Sequence, residues 1–231
     1  MQSWESTLSK AYNSLSVEYR EFLELNQGYF PSSSKYFNAF KTLPKDKVKY
    51  ILFGQDPYPR EQSAGGYAFI DESVEKLFSS KGLSKEVNKA TSLRNFMKMA
   101  LVARGSLTLS DTSQEAIAKV DKSTLINSIK ELRLNFEKNG VLLLNTALIF
   151  ENKDSSKRHI KEWRPFMQTL LEELESEAPT LILFGTHAKE LKKRLNLNKF
   201  ETIEMQHPYN QTFISNKNTL KLFGKMKLLE R

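Results

Sequence analysis

The sequence contains no cysteine, and this absence excludes several kinds of site. Without thiols the chain cannot form disulfides, hold an iron–sulfur cluster or bind zinc through thiolates. Only three histidines are present and they are widely scattered, so we expect no metal site built on imidazole ligands. The composition therefore predicts chemistry carried out by side chains alone, with no metal and no cofactor.

Long apolar runs are missing as well. None approaches the roughly 20 residues that a membrane span needs. Residues 1–22 show neither a basic leader nor the apolar stretch of a secretion signal. We therefore expect no membrane partner. The lack of cysteine fits a reducing compartment, so we expect a cytoplasmic protein.

Positive charge, by contrast, is in excess. The chain has 35 Lys and Arg against 27 Asp and Glu, which gives a net charge of +8. In many proteins such an excess serves solubility only. Lys and Arg also supply the phosphate contacts from which nucleic-acid affinity comes, so the charge makes nucleic acid a candidate partner.

Four short apolar runs, each ending abruptly in glycine or polar residues, predict the buried strands of a mainly parallel sheet. They span residues 48–57, 140–146, 179–186 and 200–208. Helical patterns cover residues 4–25, 84–104, 123–138, 162–176, 187–195 and 217–229. Strand–helix alternation in a chain of 231 residues predicts one α/β domain over residues 1–231, a three-layer α/β/α sandwich around a central four-stranded sheet.

Polar residues follow all four predicted strands at their carboxyl ends, where open α/β sheets bind their ligands. They are Gln55, Asp56 and Tyr58 after the first, Asn145 and Thr146 after the second, Thr186 after the third, and Gln206 and His207 after the fourth. An acid, an amide, a hydroxyl and an imidazole are therefore expected on one rim of the sheet.

Two of these segments carry a family resemblance. The stretch GQDPYPREQSAGGYAF at 54–69 resembles the water-activating loop of family 1 uracil-DNA glycosylases, and Asp56 and Phe69 keep that family's separation of thirteen residues. The stretch GVLLLNTAL at 140–148 resembles the family's uracil-recognition strand, with its asparagine at Asn145.

Three later features follow in the family's order. Trp163 lies at the family's usual spacing, LFGTHA at 183–188 resembles its Gly-Ser loop, and His207-Pro208 begins what resembles its HPSP loop. The resemblance covers roughly residues 35–225. It implies a monofunctional DNA-repair hydrolase that flips uracil out of DNA and cleaves the N-glycosidic bond, leaving an abasic site.

Asp56 and His207 are the catalytic candidates. Breaking an N-glycosidic bond builds positive charge on the sugar and negative charge on the departing base. An aspartate suits the first charge and can also orient the attacking water. A neutral imidazole can donate a hydrogen bond to the uracil oxygen as it gains charge. Read without the resemblance, an Asp before Pro is often only a turn residue.

Base recognition is assigned to residues of the first two strand ends. The Asn145 amide offers a donor beside an acceptor, which matches uracil and opposes cytosine. The resemblance implies that Phe69 stacks on the flipped base and that Tyr58 excludes the methyl group of thymine. Gln55 is placed in the same pocket. An isolated aromatic residue is otherwise a core residue by default.

Contacts with the DNA backbone are assigned to small polar residues and to the HP loop, which is residues 207–213. Ser92, in ATSLRNF, resembles the family's phosphate-contacting serine, and Thr186 replaces the serine of the Gly-Ser loop. The loop HPYNQTF contributes a further group of DNA-binding candidates, which are Pro208, Gln211, Thr212 and Phe213. Gln211 stands at the family's apolar wedge position, so we expect Phe213 to act as the wedge instead.

Other departures from the family pattern concern single residues and one insertion. Pro59 stands where the family usually has histidine, and residues 100–123 are predicted to be an insertion. The residues before Ser92 lack the family's prolines. His159 falls out of register and is expected at the surface, and His187 is expected to cap or line the start of a helix.

Several alternatives stay open. The main one is a catalytically weakened DNA-binding member of the same fold, favoured by the altered HP loop. A glycosylase of broader substrate range is another, although Tyr58 and Asn145 argue for uracil. An unrelated nucleotide-binding protein is opposed by the absence of GxGxxG after the first strand and of GxxxxGK[ST]. Expected partners are uracil-containing DNA, single- or double-stranded, and as a candidate a protein inhibitor, with the chain itself a monomer.

Overall fold

The four apolar runs form one four-stranded sheet in the computed structural model. The structure describes the backbone of residues 2–231 and the side chains of residues 3–187 and 190–231. The strands of this sheet are β1 (Tyr50–Gly54), β4 (Val141–Asn145), β5 (Thr180–Phe184) and β6 (Thr202–Met205). Two short strands, β2 (Phe78–Ser79) and β3 (Gly82–Leu83), form a separate antiparallel hairpin. Strand β1 pairs in parallel with β4 and with β5, and the order is β4-β1-β5-β6. The predicted central, mainly parallel sheet is confirmed.

The α-helices lie before the first strand, between the strands and, in the case of the last helix, after the final strand. They are α1 (Glu5–Asn13), α2 (Val17–Leu25), α3 (Ala39–Thr42), α4 (Lys85–Lys89), α5 (Thr91–Ala103), α6 (Gln114–Lys119), α7 (Ile129–Lys138), α8 (Ser156–Glu162), α9 (Arg164–Glu173), α10 (Gly185–Arg194) and α11 (Lys217–Met226). Within the described residues, none of these helices is long and apolar enough to cross a bilayer.

Several predicted helices prove to be shorter or divided. The pattern over 4–25 forms two helices, because the Ser16 side chain accepts a hydrogen bond from the amide of Tyr19 and starts α2. The pattern over 123–138 becomes helical only at Ile129, where Ser128 and Glu131 form a reciprocal capping box. Capping residues therefore set helix boundaries that hydrophobic periodicity does not predict.

Contacts divide the chain into two compact units, which are described in turn. The first comprises Met1–Asp71 and Gly140–Glu204 and contains nearly the whole sheet. Strand β4 is buried along its length, as are the last four residues of β1 and of β5. Beside the sheet, aromatic rings pack edge to face, with Trp163 5.1 Å from Phe166 and Trp4 5.1 Å from Phe40. This rigid core carries the loops that leave the carboxyl ends of the strands.

The second unit comprises Glu72–Asn139 and Met205–Arg231. Its core brings together aromatic rings of three helices, with Phe96 of α5 5.7 Å from Phe136 of α7 and 5.2 Å from Phe223 of α11. The predicted insertion supplies α6, whose Gln114 accepts a hydrogen bond from the amide of Leu83 at 2.8 Å. The insertion is thereby attached to the β2–β3 hairpin.

Candidate active site

The end of β4 places the Asn145 amide against the end of β1. In the strand register Asn145 is paired with Gly54, and its side chain is only 6% exposed. A Cβ atom built on Gly54 would lie 2.2 Å from the Asn145 Oδ1 atom. The glycine therefore leaves the room that the asparagine amide occupies, and a larger residue at 54 would displace that amide.

The loop after β1 presents Asp56, which is half-buried. Its Oδ2 atom accepts a hydrogen bond from the Ser156 hydroxyl at 2.5 Å. The Gln55 side chain, which is exposed, reaches the same oxygen at 3.5 Å. Asp56 is thus held by a residue that lies far away in the sequence.

The backbone just before Asp56 is fixed by neighbouring strands and helices. The Thr146 hydroxyl donates to the Gln55 carbonyl oxygen at 2.8 Å, and the Thr146 amide donates to the Gly54 carbonyl oxygen at 3.0 Å. From the first turn of α10, the Nε2 atom of His187 lies 3.2 Å from the same Gly54 oxygen, to which it donates. The prediction that His187 lines a helix start is confirmed. Such anchoring holds the Asp56 loop in one geometry.

Phe69 and Tyr58 lie at the two ends of the same loop region. Phe69 is half-buried and has a left-handed backbone with φ of 63°, which is uncommon for a residue with a side chain. Its ring stands edge-on to Phe184, with centroids 5.2 Å apart. Tyr58 is also half-buried, and burial raises the pKa of its hydroxyl to about 12. The strained backbone of Phe69 is typical of residues in functional sites.

The second unit presents His207 two residues after the end of β6. The amide of Tyr209 donates to the Nδ1 atom of His207 at 3.1 Å, so the ring proton of the neutral form lies on Nε2. Burial lowers the pKa of His207, because desolvation disfavours the imidazolium ion. The imidazole is therefore kept neutral at pH 7 with a donor at Nε2.

The loop that follows His207 is pinned to α5. The Asn95 side chain donates to the carbonyl oxygens of Pro208 at 2.8 Å and of Tyr209 at 3.3 Å. Gln211 and Thr212 are exposed, and the Thr212 hydroxyl donates to the side chain of Gln206. These bonds fix the backbone of the loop and leave polar side chains facing solvent.

Two sequence predictions prove to be wrong, and both concern burial. Phe213 is fully buried and packs 6.3 Å from Phe96, so it is a core residue and is not exposed as a DNA wedge. His159 is fully buried instead of lying at the surface, because its Nδ1 atom meets the Tyr19 hydroxyl at 2.7 Å and its Nε2 atom meets Glu151 at 3.3 Å. Both polar atoms of the ring are thus satisfied inside the protein.

The remaining DNA-binding candidates lie at helix starts. Ser92 is half-buried in the first turn of α5, and Thr186 is exposed in the first turn of α10. Sequence reasoning passed over Ser156, for which no local signal exists. It also passed over Tyr209, which is 67% exposed and follows His207 by two residues.

A comparison with protein families decides the affiliation. The model of the uracil DNA glycosylase superfamily matches residues 40–226 of the chain. The chain belongs to the uracil DNA glycosylase superfamily. The resemblance inferred from the loop at 54–69 and the strand at 140–148 is thereby confirmed.

Solved structures share the fold of this chain, and a curated relative is similar to it in sequence. The crystal structure of the wild-type UNG from Nitratifractor salsuginis is 53% identical, covers 100% of this chain and 93% of its own, and gives a TM-score of 0.98. The uracil-DNA glycosylase of Psychromonas ingrahamii is 25% identical over 213 residues, which are 89% of this chain and 85% of that protein. A mimivirus UNG variant in complex with UGI is 19% identical over 90% of this chain and 70% of its own, and with a TM-score of 0.57 it shares the fold. The predicted fold class is confirmed by these similarities.

Proposed function

We propose that this superfamily member is a DNA-repair glycosylase that flips uracil out of DNA and hydrolyses the bond between base and sugar. One observation carries the proposal above all. The buried amide of Asn145 ends strand β4, and the supported carboxylate of Asp56 follows its parallel partner β1, in a member of the superfamily. Both side chains thus leave the sheet at the edge where α/β folds place their chemistry.

Asp56 and His207 stabilise the two opposite charges that develop during the reaction. Water adds to the anomeric carbon, the bond to the base breaks, and its electron pair leaves with uracil. Asp56 stabilises the positive charge on the sugar and takes up the proton of the attacking water. His207 donates a hydrogen bond from Nε2 to the carbonyl oxygen of the leaving base, which carries the negative charge. A neutral imidazole is sufficient for this role.

Base identity is assigned to Asn145, Tyr58, Phe69 and Gln55. The Asn145 amide pairs with the donor and acceptor edge of uracil, and an unmatched buried group costs about 1–3 kcal/mol. Tyr58 excludes the methyl group of thymine, which protects normal DNA from cleavage. Phe69 stacks on the extruded base. Gln55 lines the same pocket.

DNA binding is assigned to residues of both units. We propose phosphate contacts from Ser92, Thr186 and Thr212, with Pro208 shaping its loop and Gln211 contacting the strand. Because the family match at 40–226 draws on both units, we propose that residues 1–231 act as one domain. We further propose a monomer of the cytoplasm that binds single- and double-stranded uracil-DNA. The mimivirus complex with UGI makes a protein inhibitor a testable partner.

An oligonucleotide with one uracil tests the activity directly. We expect the purified chain to release free uracil in the presence of EDTA, because the described residues contain no group of three or more His, Cys, Asp or Glu side chains that could hold a metal ion. The abasic product is cleaved with alkali and measured on a gel, and a thymine oligonucleotide is the control. Loss of activity in EDTA would contradict the metal-independent reaction. Binding without uracil release would instead support the weakened DNA-binding alternative.

Tyr209 is the aromatic residue that we expect to take the wedge role in place of Phe213. Extruding a paired base costs a few kcal/mol, and an aromatic ring entering the gap recovers part of that cost. Tyr209→Ala should therefore lower activity on duplex DNA about tenfold and activity on single strands less than threefold. Tyr209→Phe should retain both activities, since it keeps the ring.

A control variant sharpens this test. Leu109→Ala removes an apolar side chain that is 55% exposed in the same unit, and it should leave both activities unchanged. Uracil release is compared on matched single-stranded and duplex substrates for every variant. An equal loss of both activities in Tyr209→Ala would show that the ring does not serve base extrusion.

A further inference from the structure

Ser156 supports the Asp56 carboxylate from outside its loop. The Ser156 hydroxyl donates to Oδ2 at 2.5 Å across 100 residues of sequence. The weaker approach of Gln55, at 3.5 Å, ends on the same oxygen. Among the described residues both donors thus meet Oδ2, which leaves Oδ1 as the oxygen for water and for the developing charge of the sugar.

The loop itself offers Asp56 little support. Pro57 and Pro59, on either side of Tyr58, have no side-chain donor and no amide hydrogen. A carboxylate on such a loop turns about its side-chain bonds unless another element holds it. Ser156 is the group that meets it with a short, charge-assisted hydrogen bond.

The helix that carries Ser156 is firmly anchored. Ser156 is the first residue of α8, and His159 lies one turn further on, where residues three apart share a helix face. His159 is fully buried between the Tyr19 hydroxyl and Glu151. The helix therefore cannot turn without breaking a buried network, and Ser156 is held in place against Asp56.

We propose that Ser156 is a positioning residue for the reaction, acting through Asp56. Its hydrogen bond selects one rotamer of the carboxylate and aims Oδ1 at the reacting centre. Misplacement of a reacting group by a fraction of an ångström is costly in rate, so this orientation contributes to the chemical step rather than to binding. The inference rests on the proposed function of Asp56.

Three substitutions of Ser156 test this role in the chain of 231 residues. Ser156→Ala should lower the single-turnover rate about ten- to a hundredfold without changing the Kd for a uracil oligonucleotide. Ser156→Thr keeps the hydroxyl and should stay within about threefold of the parent. Ser156→Cys keeps the volume with a weak donor and should resemble Ser156→Ala, which separates lost hydrogen bonding from lost packing.

The matched control is Ser176→Ala, since Ser176 is an exposed serine of the same unit that lies before β5, and its hydroxyl donates to Glu177. We expect it to retain the parent rate. Thermal melting of each variant verifies that it is folded. Full activity in Ser156→Ala, or an equal loss in Ser156→Thr and Ser156→Ala, would overturn the positioning role.

A double-mutant cycle distinguishes this inference from the proposed function. In an Asp56→Ala background the carboxylate is absent, so adding Ser156→Ala should change the rate less than about threefold. The same loss in both backgrounds would mean that Ser156 acts by another route. Parent-like activity of Asp56→Ala would contradict the proposed function itself, and a parent chain without activity would overturn both.

Discussion

Asp56→Asn is expected to slow uracil release about 10²- to 10³-fold, because it removes the negative charge that stabilises the sugar cation. The amide has the size of the carboxylate, and its oxygen can still accept the hydrogen bond from Ser156. The loop should therefore keep its shape. Affinity for uracil-DNA should stay close to that of the parent, since the lost interaction belongs to the transition state.

Single-turnover rates and fluorescence anisotropy on the same labelled oligonucleotide measure the two effects separately. Asp154→Asn is the matched control, because Asp154 is an exposed acidic residue before α8. Its replacement changes the net charge of the chain by the same amount as Asp56→Asn. We expect no loss of rate in the control. An Asp56→Asn chain with parent activity would show that Asp56 is only a turn residue.

Gly54→Ala is expected to lower uracil release about a hundredfold while the chain still folds. The new Cβ atom would meet Asn145 Oδ1 at 2.2 Å and the Ala68 Cβ atom at 3.0 Å. The Asn145 amide is the group that can move, since it ends a flexible side chain. A displaced amide loses its pairing with uracil, and two lost hydrogen bonds at about 1–3 kcal/mol each account for such an effect.

Two comparisons make this prediction specific. Gly224→Ala is the control, because a Cβ there makes only ordinary contacts, the nearest at 3.5 Å to Ala103. In an Asn145→Ala background, Gly54→Ala should add little further loss, since the amide it displaces is gone. Melting temperatures verify folding. Parent activity in Gly54→Ala would mean that the asparagine amide is not the recognition group.

Sequence reasoning worked where the signal is local. Each of the four apolar runs contains one of the strands β1, β4, β5 and β6, because strands of a buried sheet need apolar residues and the segments after them need turn formers. The residues just beyond those ends follow from the same pattern. Some helix boundaries were local too: Ser128 and Glu131 have capping-box spacing, which hydrophobic periodicity overlooks.

The family affiliation also belongs to the sequence alone. The loop at 54–69 and the strand at 140–148 carry it, and the family match over residues 40–226 agrees. These stretches identify the chain because the chemistry needs an acid, an amide and aromatic rings at set spacings. These two stretches can be found in the sequence without knowing which distant segments are in contact in the fold.

Tertiary structure alone decided which residues are buried and which groups meet across the chain. Phe213 and Tyr209 are both aromatic residues of one loop, yet the first is fully buried and the second is 67% exposed. Ser156 reaches Asp56 across 100 residues, and Tyr19 reaches His159 across 140. Such contacts depend on how helices and strands pack, and no local spacing encodes them. The sequence therefore determined the fold class and the principal candidate residues, whereas packing decided which group orients Asp56 and which aromatic side chain faces solvent.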